Sequence, residues 1–171
     1  KKRYTPSYNS LTLRMTKTDR QGTPRISYIH GRPHAHPMHM KFSEAVGAEF
    51  QVVDFKMRWQ DQDKSMLYRI TSWFVCAITF PNKRKYDIFL VDNLHFYPVI
   101  MKKLRLIGSK QKIVAHMGSH TLYFIYAHKF SKLTEWIHVM ALKRYDAIIC
   151  EGKMAEELVK KILGEKTPKL Y

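Results

Sequence analysis

Five short apolar runs recur along the chain, each followed by a stretch with helical spacing. This alternation restricts the fold more than any other feature. The runs are "RISYIHG", "AEFQVVDF", "YDIFLVDN", "KIVAHM" and "DAIICEG". Helices are expected from about Met38 to Val46, from Asp61 to Phe80, over "LHFYPVIMKKLRLIG" and over "MAEELVKKILG". A long one is expected over "TLYFIYAHKFSKLTEWIHVMALKRY", with an apolar stripe at Phe130, Leu133, Ile137 and Met140. Gly108 and Gly164 supply C-terminal stops, and Pro98 is tolerated in a first turn. Strands apolar on both faces and alternating with helices predict an α/β fold: a doubly wound, mainly parallel sheet with helices on both faces. Ligands of such folds bind outside the carboxyl ends of the strands. The segments to inspect are therefore Gly31–Met38, Asp54–Gln60, Asp92–His95, His116–Thr121 and Glu151–Lys153.

With 171 residues the chain has room for one domain with a proper core. Lys and Arg number 30 against 14 Asp and Glu, a field that draws in nucleotides, nucleic acid or an anionic membrane face. Part of that excess sits in residues 1–24, which are polar, without sustained period, and expected to form a basic flexible arm before a domain spanning 25–171. Cys76 and Cys150 each lie in an apolar run, which suits two reduced, buried thiols in a cytosolic protein. The most apolar stretch, "MLYRITSWFVCAITF", is interrupted by Arg69 and has helical spacing, so it reads as a core-packed helix and not a membrane span. No secretory signal is recognisable, and the absence of an initiator Met suggests a trimmed chain or a piece of a larger one.

Four segments carry candidate chemistry. "HGRPHAHPMHMK" carries His30, His34, His36 and His39; imidazoles suit zinc or nickel, but the spacing does not put two ligands on one helical face and no carboxylate joins them locally. A solvated loop, or a loop in which Gly31 and Arg32 approach a ligand, fits as well, and no metal is expected. Asp92 and Asn93 end the third strand: Asp92 can accept hydrogen bonds from sugar hydroxyls or orient a neighbouring imidazole, or else Asp92 or Asn93 simply caps the next helix. In "AHMGSHTLYF", Gly118 permits a tight turn, Ser119 or Thr121 caps the long helix, and backbone N–H groups there offer an anion site. His116 and His120 bracket that turn and can donate to a phosphate or hydroxyl; a capped helix with two incidental histidines is the plain alternative. Glu151 and Lys153 share the next strand edge. There is no G-x-G-x-x-G, Walker loop, nucleophile elbow or CxxC pair.

The ordered series "YDIFLVDNLHFYPVI", "KIVAHMGSHTLYF" and "ALKRYDAIICEGKMAEELVKKILG…PKLY" resembles the N-terminal domain of retaining GT-B glycosyltransferases of the family-four, or group-one, type. The likeness covers about 85 residues; before Tyr86 only the β-α-β pattern matches. It implies a Rossmann-like half of a GT-B fold, in an enzyme moving a sugar from a nucleotide-sugar donor to a sugar or lipid-linked acceptor with retention of configuration. The nucleotide-sugar is a substrate, and no cofactor is implied. His116 and His120 would act at the transferred sugar or phosphate. Gly31, Arg32, Asp92, Asn93, Gly118, Ser119, Glu151 and Lys153 are the expected binding residues. The resemblance also implies a donor-binding domain in cis or on a partner subunit, so this stretch alone is not expected to transfer sugar. It places the enzyme in the cytoplasm or at the inner membrane face; for Lys102, Lys103, Arg105 and Lys110 a solvated helix face is the default over a membrane contact. A lone binding module for nucleic acid or protein is the rival reading. Against nucleic acid, Tyr123, Phe124 and Trp136 have helical spacing and do not form a strand platform. Where the family usually has a Gly pair after its first strand, this chain has Gly31 with Pro33 and Pro37; where it usually has Ser before "MAEEL", this chain has Gly152 and Lys153.

Overall fold

The computed structural model describes residues 23–31, 36–52, 85–92, 97–164 and 167–171. The elements are β1 (Ile26–His30), α1 (Pro37–Ala45), β2 (Ala48–Val52), β3 (Ile88–Asp92), α2 (Tyr97–Lys103), β4 (Lys112–Met117), α3 (Ser119–Tyr126), α4 (Lys132–Leu142), β5 (Ala147–Cys150), α5 (Lys153–Leu163) and β6 (Lys169–Leu170). Residues 1–22 of the expected arm, the helix over 61–80 and Cys76 lie outside the described residues.

The strands form one six-stranded sheet in the order β2-β1-β3-β4-β5-β6, with every pairing parallel. The chain runs outward from β1 to β2, then returns to the other side of β1 for β3. The strand order therefore reverses between β1 and β3, which makes their carboxyl ends the switch-point crevice of a doubly wound sheet. On one face of the sheet Ile29, Phe89, Val91, Ile113, Ala115, Met117 and Ile148 join Met101 of α2, Leu122 and Ile125 of α3, and Leu158 and Val159 of α5 in one core. Towards the β2 edge the same face carries buried Ser27 and, on β2, Glu49 and Gln51. The stripe Ala155, Leu158, Val159, Leu163 has the three-and-four spacing that turns one side of α5 inward. The other face carries Tyr28, His30, Asp92 and His116, with α1 lying over part of it. Among the described residues no helix is long and apolar enough to cross a membrane.

Two expectations are corrected, and a sixth strand joins the five expected runs. The long helix is two, α3 and α4. The break falls at His128, whose φ is 52°, with Lys129 N–H donating to the Phe124 carbonyl and His128 N–H to that of Ile125. That is a Schellman termination with histidine where glycine usually stands. Ser131 then restarts the helix, its hydroxyl accepting from the Thr134 amide at 3.3 Å. Likewise α2 stops at Lys103 and not at Gly108, because Arg105 takes φ 58° and Leu106 N–H reaches the Met101 carbonyl. Finally, "TPKLY" contributes β6, tied to β5 by Cys150 N–H to Tyr171 O at 2.9 Å and Tyr171 N–H to Ile148 O at 3.1 Å. Cys150 itself is a free, half-buried thiol that burial holds above its ordinary range.

Asp146, in the "YDAII" run, clamps the amino end of the sheet. Its carboxylate accepts from the Ile113 amide at 2.9 Å and from Lys102 and Lys112 at 3.0 Å each. Burial raises its pKa, but these donors outweigh burial and hold it below the usual range. Lys102 is therefore ion-paired, while Lys103, Arg105 and Lys110 are exposed at the end of the sheet away from the switch point.

His138 of α4 is 2% exposed and stacks on Phe130, ring centroids 5.3 Å apart. Burial pulls its imidazole down to about 4. Above pH 6.5 the ring is neutral in both the folded and unfolded states, so pH has no effect through it. As pH falls below 6.5 the unfolded chain binds a proton that the folded state refuses, and stability is lost until the folded value near 4 is reached. The expected loss between pH 7.5 and 4.5 is about 2–3 kcal/mol. Urea unfolding at the two pH values checks it: His138→Leu should flatten the acid-side decline by that amount.

Candidate functional site

Alternation along β1 turns Tyr28 and His30 to the same side of the sheet and Ile29 to the other. The parallel register sets His30 opposite Asp92, and Asp92 opposite His116. Three polar side chains therefore form one row across β1, β3 and β4 at their carboxyl ends. All are deeply buried: His30 is 1% exposed, Asp92 4% and His116 5%.

Hydrogen bonds join the row to its neighbours. His30 Nδ1–H donates to Asp92 Oδ2 at 2.6 Å. The Tyr28 hydroxyl lies 2.8 Å from His116 Nδ1 and 2.9 Å from His39 Nδ1, bridging the sheet to α1. His39 Nδ1 is also 3.7 Å from Asp92 Oδ2. On the far side, His116 Nε2 is 3.4 Å from Glu151 Oε1. Two aromatic stacks fix the rings: Phe42 of α1 lies 4.6 Å from His116 with the ring planes nearly parallel, and Phe50 of β2 stacks on Tyr28 at 5.4 Å.

Burial drives the Tyr28 phenol far above its ordinary value, and the Asp92 and Glu151 carboxylates add to this, so it keeps its proton at any physiological pH. For His116, burial lowers the pKa more than the Glu151 and Asp92 carboxylates raise it, and His39 lowers it further. The ring is therefore mainly neutral near pH 7, with one nitrogen free to accept a proton. Glu151, His116, Tyr28 and His39 thus lie in one line that runs from a half-exposed carboxylate past β5, across the sheet, to α1.

The expected residues divide by position. His116 and Asp92 are central, and Glu151 joins them from just past β5. Gly31 extends the β1–β3 pairing, its N–H donating to the Asp92 carbonyl at 3.2 Å. His120 is exposed in the first turn of α3, its ring 4.7 Å from Phe124, so the two bracketing histidines part company. Ser119 opens α3 and Lys153 opens α5, the latter exposed. Neither Ser119 nor Thr121 caps α3: its N-cap is Gly118, with no side-chain cap. Arg32, Asn93 and His34 lie outside the described residues.

Gly118 is needed for a reason other than a tight turn. Its φ is −79°, open to any residue, but a Cβ there would come 2.9 Å from Glu151 Oε2. Gly118→Ala should therefore change stability by less than about 1 kcal/mol while swinging the Glu151 carboxylate away from His116. An altered His116 ring titration by NMR, with an unchanged urea midpoint, is the expected result. Gly152, by contrast, takes φ 96°, a conformation in which a residue with a Cβ would be strained.

Tyr28, His39 and Phe42 escape a reading based on strand ends. The signal for Tyr28 is its place two residues before His30. His36 and His39 meet after all: His36 caps α1 by accepting from the Met38 amide at 3.3 Å, and the two rings lie 5.9 Å apart, edge to face. No protein-family model and no curated protein matches this chain.

Proposed function

We propose that this chain is the acceptor-side, N-terminal half of a retaining glycosyltransferase, working with a donor-binding domain in cis or on a partner subunit. The observation that carries the reading is the in-register row His30–Asp92–His116 at the switch point, extended by Glu151 to the half-exposed edge. The ordered sequence series from Tyr86 onward supports it independently. In this reading the acceptor sugar rests on the carboxyl ends of β3 to β5. His116 and Glu151 hold its hydroxyls, and the α3 amides near Gly118 and Ser119, unused by any side-chain cap, face the donor phosphate together with His120. Asp92 acts by orienting His30, and a peripheral membrane location suits a lipid-linked acceptor.

Titrating the isotope-labelled chain with uridine and guanosine diphosphate sugars, and with free sugars, tests the location. Amide shifts should concentrate at His116–Thr121 and Glu151–Lys153. Shifts confined to the opposite end of the sheet, or none with any ligand, would contradict the reading.

A further inference from the structure

The geometry points to a site for one divalent transition-metal ion of the zinc class, ligated by His39, His116 and Glu151. One ligand atom from each of the three lies within 4.8 Å of the others. His116 Nε2 and Glu151 Oε1 are already 3.4 Å apart. That is the separation of about 3.4 Å between neighbouring ligands around a tetrahedral ion with bonds near 2.1 Å. Two imidazoles and a carboxylate are a recurrent zinc donor set that leaves a fourth position for water or an anionic oxygen.

The outer contacts suit it too. Tyr28 engages Nδ1 of both His39 and His116, so each ring has Nε2 left for the ion. A phenolic oxygen can accept from both Nδ1–H groups at once. Such a partner fixes ring orientation and tautomer, as polar groups behind metal-bound histidines commonly do. Phe42 holds the His116 plane, and the Glu151 side chain, 32% exposed, leaves a way in from solvent. A second triplet, His30, His39 and Asp92, shares His39. It is less suited, because Asp92 Oδ2 is engaged by His30 at 2.6 Å and both are buried. Sequence alone leaves the loop histidines without a carboxylate; the fold brings one from beyond β5.

This inference does not rest on the sugar-transfer reading: metal bound without transfer supports it, and transfer without metal leaves only the other standing. The experiment is a titration of chelator-stripped protein with Co(II), followed by its visible ligand-field bands, with Zn(II) competition and metal analysis after dialysis. The expected result is one ion per chain with tetrahedral-type bands. Glu151→Gln, at a half-exposed position that should not impair folding, should abolish the bands at equimolar metal. Tyr28→Phe should weaken binding by about 10- to 100-fold, and His128→Ala, remote and exposed, should leave it unchanged. No stoichiometric binding, or bands that survive Glu151→Gln, would overturn the proposal. Loss in Asp92→Asn with full binding in Glu151→Gln would also overturn it, moving the ion to the buried triplet.

Discussion

Asp92→Ala should cost about 3 kcal/mol of folding stability, the size expected when one partner of a buried, hydrogen-bonded pair is removed. Asp92 and His30 are both almost wholly buried and joined by a 2.6 Å hydrogen bond at the centre of the sheet. Removing the carboxylate strands the His30 Nδ1–H, whose lost bond is not recovered from water at that depth. The same reasoning makes the effect non-additive. His30→Phe combined with Asp92→Leu removes both polar groups and should restore about half or more of the loss. Urea unfolding of the two single variants and the double variant measures the coupling. A loss below about 1 kcal/mol for Asp92→Ala would mean that the pair does not hold the switch point together.

If the proposed sugar transfer holds, His116→Ala should lower turnover of the two-domain protein by about 100-fold or more, the usual scale for losing a positioned donor or acid–base group. Its effect on stability should be smaller in proportion: about 1–3 kcal/mol for a buried ring stacked on Phe42 and bonded to Tyr28. His120→Ala makes the contrast. That residue is exposed, so its stability cost should stay within about 0.5 kcal/mol, while a role at the donor phosphate would still depress turnover. Turnover per folded molecule, normalised by the unfolding curves, separates the two effects. Undiminished turnover in both variants would defeat the assignment.

Much of the architecture is legible in the sequence because it rests on local patterns. The runs around Phe89–Val91 and Ile113–Ala115 are short and nearly all apolar, and buried parallel strands require that. The helix ends were harder to read. Gly164, with φ 60° and ψ −137°, stops α5 as expected, whereas α2 and α3 end at Arg105 and His128, which take positive φ without being glycine. There the glycine signal is absent: both side chains are exposed, and the backbone hydrogen bonds that close α2 and α3 accompany the positive φ. Ser131, a hydroxyl three residues before Thr134, was a readable restart that the apolar stripe through Phe130 and Leu133 concealed.

The candidate site was half legible. Strand-end geometry leads to Asp92, His116 and Glu151, since each ends or follows a β-strand. It does not lead to Tyr28, which lies one turn of the pleat inside β1, or to His39, which enters from a helix. Both reach the row only through the pairing of β1 with β3 and the packing of α1, which are long-range facts. Gly118 shows the same limit: the residue was found, but its purpose depends on a carboxylate 33 positions away.

The most direct test of sugar transfer is to express the protein from its full coding frame, incubate it with nucleotide-sugar donors and a panel of acceptors, and determine the anomeric configuration of the product by NMR. The expected result is a glycosylated acceptor whose anomeric configuration matches that of the donor. Inversion of configuration, or no product from any donor and acceptor by a folded protein, would contradict it.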